Sequence, residues 1–183
     1  MLKIMMSVAE AESGTMRLEL QNCDVSSTLK QVVTLYEYVA EEHGIAVYFQ
    51  EDNPVSATVD ITRISQVWAN LLDNGIKYGR EGGWVKIDVQ VVGGEVVVIF
   101  TDNGMGISES EQGRIWERLF RGDRSRSRQG LGLGLNYVHA VVTAHHGTVS
   151  VKSKLHQGSQ FEVRLPRASD QLCTQEKSQT SGE

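Results

Sequence analysis

A chain of 183 residues, 40% hydrophobic and 22% charged, has room for one domain with a substantial core and too little for two. It contains no apolar run of the roughly 18 residues that a membrane-spanning helix needs, and its net charge of −5 weighs against a nucleic-acid partner. Cys23 and Cys173 lack metal-ligand spacing and suit a reducing compartment, so a cytoplasmic domain is expected.

In chain order, residues 1–14 are helix-like, end at Ser13-Gly14, and read as the stump of a longer helical element. Asp24-Val-Ser-Ser-Thr28 offers N-cap residues. Leu29, Val32, Val33, Tyr36, Val39 and Ala40 then recur at helical spacing until Gly44. Ile45 to Gln50 is a short strand. Asp60 or Thr62 can cap a second helix whose apolar face is Ile64, Val67, Trp68, Leu71 and Leu72. Val85, Ile87, Val89 and Val91 alternate with Lys86, Asp88 and Gln90, and Gly93-Gly94 turns this strand back into Val96 to Thr101. Leu135, Val138 and Val142 mark a third helix, ended by Gly147. A last hairpin runs from Thr148 to Lys154 and from Gln160 to Leu165, around His156-Gln-Gly-Ser159. Residues 167–183 are polar and aperiodic, so a disordered tail is expected. The mixture predicts an α/β fold: a two-layer sandwich, one mixed sheet with three helices on one face, spanning residues 15–166.

Three motifs and a linking segment carry chemistry. In Asn70-Leu-Leu-Asp-Asn74-Gly-Ile-Lys77-Tyr78, helical geometry puts Asn70, Asn74, Lys77 and Tyr78 in one arc beside the apolar face. A helix interior favours Ala, Glu or Lys over asparagine. Amides four residues apart, with a lysine one turn on, can hold a hydrated Mg²⁺ and the phosphates it bridges; the plain alternative is a solvated helix face. Asp102-Asn-Gly104-Met-Gly106-Ile107 follows a strand and puts a carboxylate at a pocket mouth. There it can accept a hydrogen bond from an exocyclic amine such as adenine's, unless it is simply an Asp-Asn-Gly turn. Gly130-Leu131-Gly132-Leu133-Gly134-Leu135 is neither a Walker A loop nor a dinucleotide fingerprint. It feeds a helix N-terminus, where backbone N–H groups favour phosphate; a hinge without a ligand is the alternative. Between the last two motifs, Arg114, Arg118, Arg121, Arg124, Arg126 and Arg128 put six arginines into fifteen residues. Ile115, Trp116, Leu119 and Phe120 can anchor this segment while the arginines face anions, as a mobile lid over triphosphate would. A solvated basic loop or a nucleic-acid patch would look similar.

Taken in order, these segments resemble the N, G1, F and G2 boxes of the histidine kinases, members of the ATPase/kinase superfamily that includes DNA gyrase and the ninety-kilodalton heat-shock chaperones. The resemblance extends from about residue 15 to Pro166 and includes His146-Gly-Thr and Gln157-Gly-Ser-Gln-Phe161. It implies a Bergerat-type ATP-binding fold with ATP and Mg²⁺ as ligands. Asp102 would meet the adenine amine, with Gly104, Gly106, Ile107 and Ser159 at the same end, and Tyr78 would pack near the base or ribose. Asn74, helped by Asn70, would hold Mg²⁺. Lys77, Phe120, Arg121 and the stretch Gly130, Leu131, Gly132, Leu133, Gly134 and Leu135 would surround the phosphates, with Asn74, Lys77 and Arg121 as catalytic residues. Gly75 stands where alanine is frequent and Leu131 where threonine is frequent, and the lid is somewhat short.

The superfamily's hydrolases carry a glutamate four residues before the Mg²⁺ asparagine, and here that position is Asn70, which is no general base. The resemblance therefore implies a domain that binds ATP, hydrolyses it poorly and passes its γ-phosphoryl group to a histidine. None of His43, His139, His145, His146 and His156 sits in a His-Glu-Leu-Arg-like motif. The acceptor would lie on a dimerising hairpin outside this sequence, whose second helix Ala9 to Gly14 resembles. A response regulator would be the downstream partner. The fragment would be monomeric, and the full protein a homodimer anchored in the inner membrane with this domain on the cytoplasmic side. An anti-sigma-type serine kinase or a non-catalytic ATP-binding module are the competing readings.

Overall fold

The computed structural model describes residues 6, 9–10, 15–50, 54–122 and 132–167. In chain order the elements are β1 (Gln21–Asp24), α1 (Val25–Glu42), β2 (Ala46–Phe49), β3 (Ser56–Val59), α2 (Ile61–Lys77), β4 (Trp84–Val92), β5 (Glu95–Asp102), the single turn α3 (Glu109–Gln112), α4 (Gly134–Ala144), β6 (Thr148–Lys154) and β7 (Gly158–Pro166). Five strands form one sheet in the order β2-β4-β5-β7-β6. The β2–β4 pair is parallel and the rest antiparallel, which makes the sheet mixed, as expected.

Strand alternation decides which side is dry. Val85 and Ile87 of β4, Val96, Val98 and Phe100 of β5, and Phe161, Val163 and Leu165 of β7 share one face by register. All are buried in a core with Leu29 of α1, Trp68 and Leu72 of α2, and Val138 and Val142 of α4. The opposite face carries Lys86, Asp88, Glu162 and Arg164, joined in ion pairs of 2.7 Å for Lys86–Asp88 and 2.7 Å for Arg164–Glu162. The result is the expected two-layer sandwich. Trp68 is its centre: the indole stacks at 6.0 Å on Phe100 and donates to Thr28 Oγ1 at 3.1 Å.

Helix starts follow capping chemistry. Asp24 accepts from Ser26 N at 3.1 Å and Val55 N at 3.0 Å. Of the two candidates for α2, Asp60 is the cap, accepting from Arg63 N at 3.0 Å. Two features depart from expectation. A second, two-stranded sheet joins β1 to β3; each strand has only four residues, too few to show a period. The last hairpin also turns earlier than predicted. Gln157 N closes onto Lys154 O at 2.9 Å, so β7 begins at Gly158 and Ser159 lies inside the strand, paired with Asp102 and Ser153. Of residues 1–14, Met6, Ala9 and Glu10 are helical; the other expectations there and for residues 168–183 fall outside the described residues.

Candidate functional site

A cleft of about 440 Å³ lies where the second half of α2 faces the ends of β5 and β7 and the start of α4. Asn70, Asn74, Lys77, Tyr78, Asp102, Gly106, Ile107, Phe120, Arg121, Gly132, Leu133, Gly134, Leu135 and Ser159 all line it. Gly104 stands just behind, its N–H held by Asp102, and Gly130 and Leu131 lie outside the described residues. Beside the cleft a second, more open hollow of about 870 Å³ shares Glu111, Phe120, Arg121, Gly122 and Leu155 with it.

The β5 register builds one end. Val96, Val98 and Phe100 point into the core, and the next inward position is Asp102, directly across from Ser159. Its carboxylate accepts from Gly104 N at 2.8 Å and from the Ser159 backbone N–H. Burial pushes the carboxyl above its ordinary range, and the two backbone donors partly oppose that rise. A half-dry, oriented carboxylate is a strong acceptor for a neutral amine. The following loop is wedged between the end of α2 and the β6–β7 turn: Met105 N donates to Tyr78 O at 3.1 Å, and His156 N donates to Met105 O at 2.7 Å. Gly106 has φ +66°, and a Cβ there would run into the Lys154 carbonyl, so only glycine passes.

Met105 and Ser153 are missing from the sequence reading. Met105 lines the cleft. Ser153 sits behind it: its hydroxyl accepts from Ile107 N at 2.8 Å, donates to Gly158 O at 2.8 Å and meets Ser159 Oγ at 2.9 Å. Gln112 of α3 braces the same point, donating to Ile107 O at 3.2 Å and Ser153 O at 2.9 Å. A signal for Ser153 existed in the sequence. Val149 and Val151 take the inward positions of β6, and a hydroxyl in the next one breaks the pattern.

At the other end, α2 presents Asn70, Asp73, Asn74 and Lys77 to the cleft. The Nδ2 atoms of Asn70 and Asn74 are buried without a hydrogen-bond partner, which is costly unless something else completes them. Gly134 lies against this helix: a Cβ there would be 3.3 Å from Asn70 Oδ1. The start of α4 thus touches the asparagine row. Side-chain amides offer the hard oxygen donors that Mg²⁺ takes. Among the described residues no group of three His, Cys, Asp or Glu side chains could hold a metal unaided, so a cation here would need ligand phosphates. Lys77 Nζ sits 5.4 Å from the Tyr78 ring centre.

The arginine-rich segment is pinned at one side of the cleft. Ile115 is buried, Trp116 meets Phe161 edge-on at 6.2 Å, and the Trp116 carbonyl accepts from Asn136 Nδ2 at 2.8 Å. The Arg114 guanidinium covers the Phe120 ring at 4.5 Å. Leu119 corrects the expectation that it anchors: it is 60% exposed with φ +59°. Its N–H donates to Gly132 O at 3.0 Å, and the local turn in which Phe120 N closes onto Glu117 O at 3.3 Å holds Leu119 in the left-handed backbone that leaves its side chain outside. Arg124, Arg126, Arg128 and the rest of the proposed lid segment beyond Gly122 lie outside the described residues. Gly75 also gains an explanation: a Cβ would stand 2.7 Å from Val85 Cγ2, so the valine occupies the space an alanine methyl would need.

A mixed sheet with its helices on one face, opening into a cleft with an acceptor carboxylate at one end and amides at the other, defines an ATPase-type nucleotide-binding domain. Residues 59–169 match the histidine kinase-, DNA gyrase B-, and HSP90-like ATPase family, and the chain belongs to that family. It is 35% identical over 156 residues to the sensor-like histidine kinase SenX3 of Mycobacterium tuberculosis, covering 84% of this chain and 38% of the relative. Against the adaptive-response sensory kinase SasA of a Synechococcus species it is 39% identical over 145 residues, covering 74% and 38%. The chain thus spans well under half the length of these relatives. Full-length ShkA in complex with AMPPNP superposes with a TM-score of 0.81 at 28% identity, over 92% of this chain and 35% of that one. The catalytic domain of histidine kinase ThkA gives 0.72 at 26% identity, over 81% of this chain and 96% of that one. No described helix is long and apolar enough to cross a membrane.

Proposed function

We propose that this chain is the catalytic portion of a sensor histidine kinase, moving the γ-phosphoryl group of ATP to a histidine nitrogen on a separate dimerisation domain. The observation that carries this reading is the shared cleft of two unlike ends. A half-buried, backbone-oriented Asp102 faces two asparagines whose amide nitrogens are buried without partners. The first suits an exocyclic amine; the unpartnered amide N–H groups suit phosphate oxygens, and the Oδ1 atoms of the same side chains are of the kind a hydrated cation takes. The ShkA neighbour, solved with AMPPNP, supports an adenine nucleotide as ligand.

In this reading Asp102 accepts from the base amine, Gly106 and Ile107 line its flat face, and Tyr78 packs near the base or ribose. Asn74 and Asn70 would hold Mg²⁺ through their Oδ1 atoms, and the metal would supply positive charge to offset that of the phosphates. Lys77 and Arg121 steady the phosphates as charge shifts toward the leaving β-phosphate. The N–H groups at the start of α4 add a favourable dipole there. The bond from the β,γ-bridging oxygen to the γ-phosphorus breaks as the histidine nitrogen bonds to it. Asn70 replaces the water-activating glutamate, so hydrolysis stays slow while an aligned histidine reacts. A response regulator then receives the phosphoryl group, and the whole protein is a membrane-anchored homodimer.

Mixing the chain with labelled ATP and a separately made histidine-bearing hairpin tests this. Acid-labile, base-stable phosphate on the hairpin is expected. Acid-stable phosphoserine would replace the reading with a serine kinase. Tight ATP binding without any transfer would make the domain a non-catalytic module.

A further inference from the structure

Ser153, behind the cleft, has more hydrogen-bond partners than its hydroxyl has protons, and this constrains Ser159 in front of it. The Gly158 carbonyl, 2.8 Å from Ser153 Oγ, can only accept, so it takes Ser153's single proton. Ile107 N–H donates to the same oxygen at 2.8 Å. One lone pair is left for the contact with Ser159 Oγ at 2.9 Å, and the proton in that contact must come from Ser159. The Ser159 hydroxyl, buried and lining the cleft, then has only lone pairs to offer a ligand.

Asp102 and Ser159 are directly opposed on β5 and β7, so two acceptors stand side by side. We propose that Ser153 is a specificity-determining positioning residue: it fixes Ser159 as an acceptor, and the resulting pair selects a base whose exocyclic group is an amine with two hydrogens. A base with a carbonyl at that position meets lone pairs on both sides. This inference rests on the proposed nucleotide reading and says which base that site takes.

The experiment is titration of the purified chain with the Mg²⁺ complexes of ATP, GTP and ITP by calorimetry, for wild type, Ser153→Ala, Ser153→Thr and Ser159→Ala. Without Ser153's hydroxyl, Ser159 is free to rotate and donate to a carbonyl. Relief of that unmatched polar contact should lower the ATP-over-GTP and ATP-over-ITP ratios by about tenfold in Ser153→Ala. Ser153→Thr keeps the hydroxyl and should keep the ratios. Ser159→Ala should lower them, and adding Ser153→Ala to it should change them no further. A merely structural Ser153 would weaken all three nucleotides alike, and unchanged ratios would overturn the inference while leaving the ATP site standing. Should Ser153→Ala fail to fold, unaltered ratios in Ser159→Ala would overturn it equally. A wild-type chain that binds none of the three would overturn the nucleotide reading and this inference with it.

Discussion

Asn74→Ala should make the nucleotide-free domain more stable while disabling it. Asn74 sits near the end of α2, where its Nδ2 is buried without a partner. An unmatched buried amide costs about 1–3 kcal/mol, and alanine is the better helix former by about 0.5–0.7 kcal/mol. Against these gains stands the lost packing of the carboxamide, since alanine keeps the Cβ, comparable to the ~0.8 kcal/mol of one buried carbon. The balance is a stabilisation of about 1–3 kcal/mol, which in a domain of this size raises Tm by roughly 2–12 °C. Mg–ATP should reverse the order. At a hundredfold excess over Kd the wild type gains about 2.7 kcal/mol, whereas a variant that no longer engages metal and phosphate together gains much less. Thermal melts of both proteins, with and without Mg–ATP, therefore should cross. A variant that melts below wild type without nucleotide, or gains as much from Mg–ATP, would refute the assignment of Asn74 to the metal end.

Mg²⁺ titrated without nucleotide should produce no measurable heat, because neutral amides need phosphates to complete the shell; saturable binding would count against the site. Asp102→Asn keeps the shape but trades an acceptor for an amide, and ATP affinity in calorimetry should drop about tenfold or more, equivalent to about 1.5–3 kcal/mol. Gly75→Ala should destabilise by about 1–3 kcal/mol despite the better helix former, because the new methyl meets Val85 Cγ2. Val85→Ala in the same chain should recover part of the loss, and a lack of recovery would disprove the steric account. His145 is buried, accepts from Asp60 N through Nε2 at 3.0 Å, and has its pKa lowered by burial. The unfolded chain then takes up the proton more readily, so stability is complete above about pH 6.5 and falls as the pH drops below it. Denaturant midpoints between pH 8 and 5 should show this slope, flattened in His145→Gln.

Much of this was legible because the informative patterns were local. The stripe Ile64, Val67, Trp68, Leu71 and Leu72 fixed α2, and the alternation from Val85 to Val91 fixed β4. That Asn70, Asn74 and Asp102 belong to one site came from the resemblance of the ordered motifs to the histidine kinases, not from either pattern. What escaped depends on register between distant strands. Cys23 faces Ala57, residues with little strand preference whose pairing becomes visible only in three dimensions. Ser159 looked like a turn residue because its partners Asp102 and Ser153 come from other strands. Gly75 looked like a departure from pattern until Val85 appeared across from it. Leu119 read as an anchor by hydrophobicity, and its left-handed place in the Glu117–Phe120 turn, which hydrophobicity does not reveal, leaves it exposed.

The residues that break local rules are also the ones gathered at the cleft. Asn70 and Asn74 spoil a helix interior, and Asp102 puts a carboxylate at the end of an apolar inward row. The domain tolerates them because α2 separates the two tasks around its circumference. Ile64, Val67, Trp68, Leu72 and Ile76 are buried at 3% exposure or less and hold the helix to the sheet. The asparagines lie on the adjoining arc and line the cleft. A cleft can then carry a few kcal/mol of unmatched polarity without loosening the core, and a ligand that supplies the missing partners recovers it on binding. The same separation explains why changes at Asn74 should alter ligand-linked stability, while changes at Gly75, one residue on and facing Val85, should alter the fold itself.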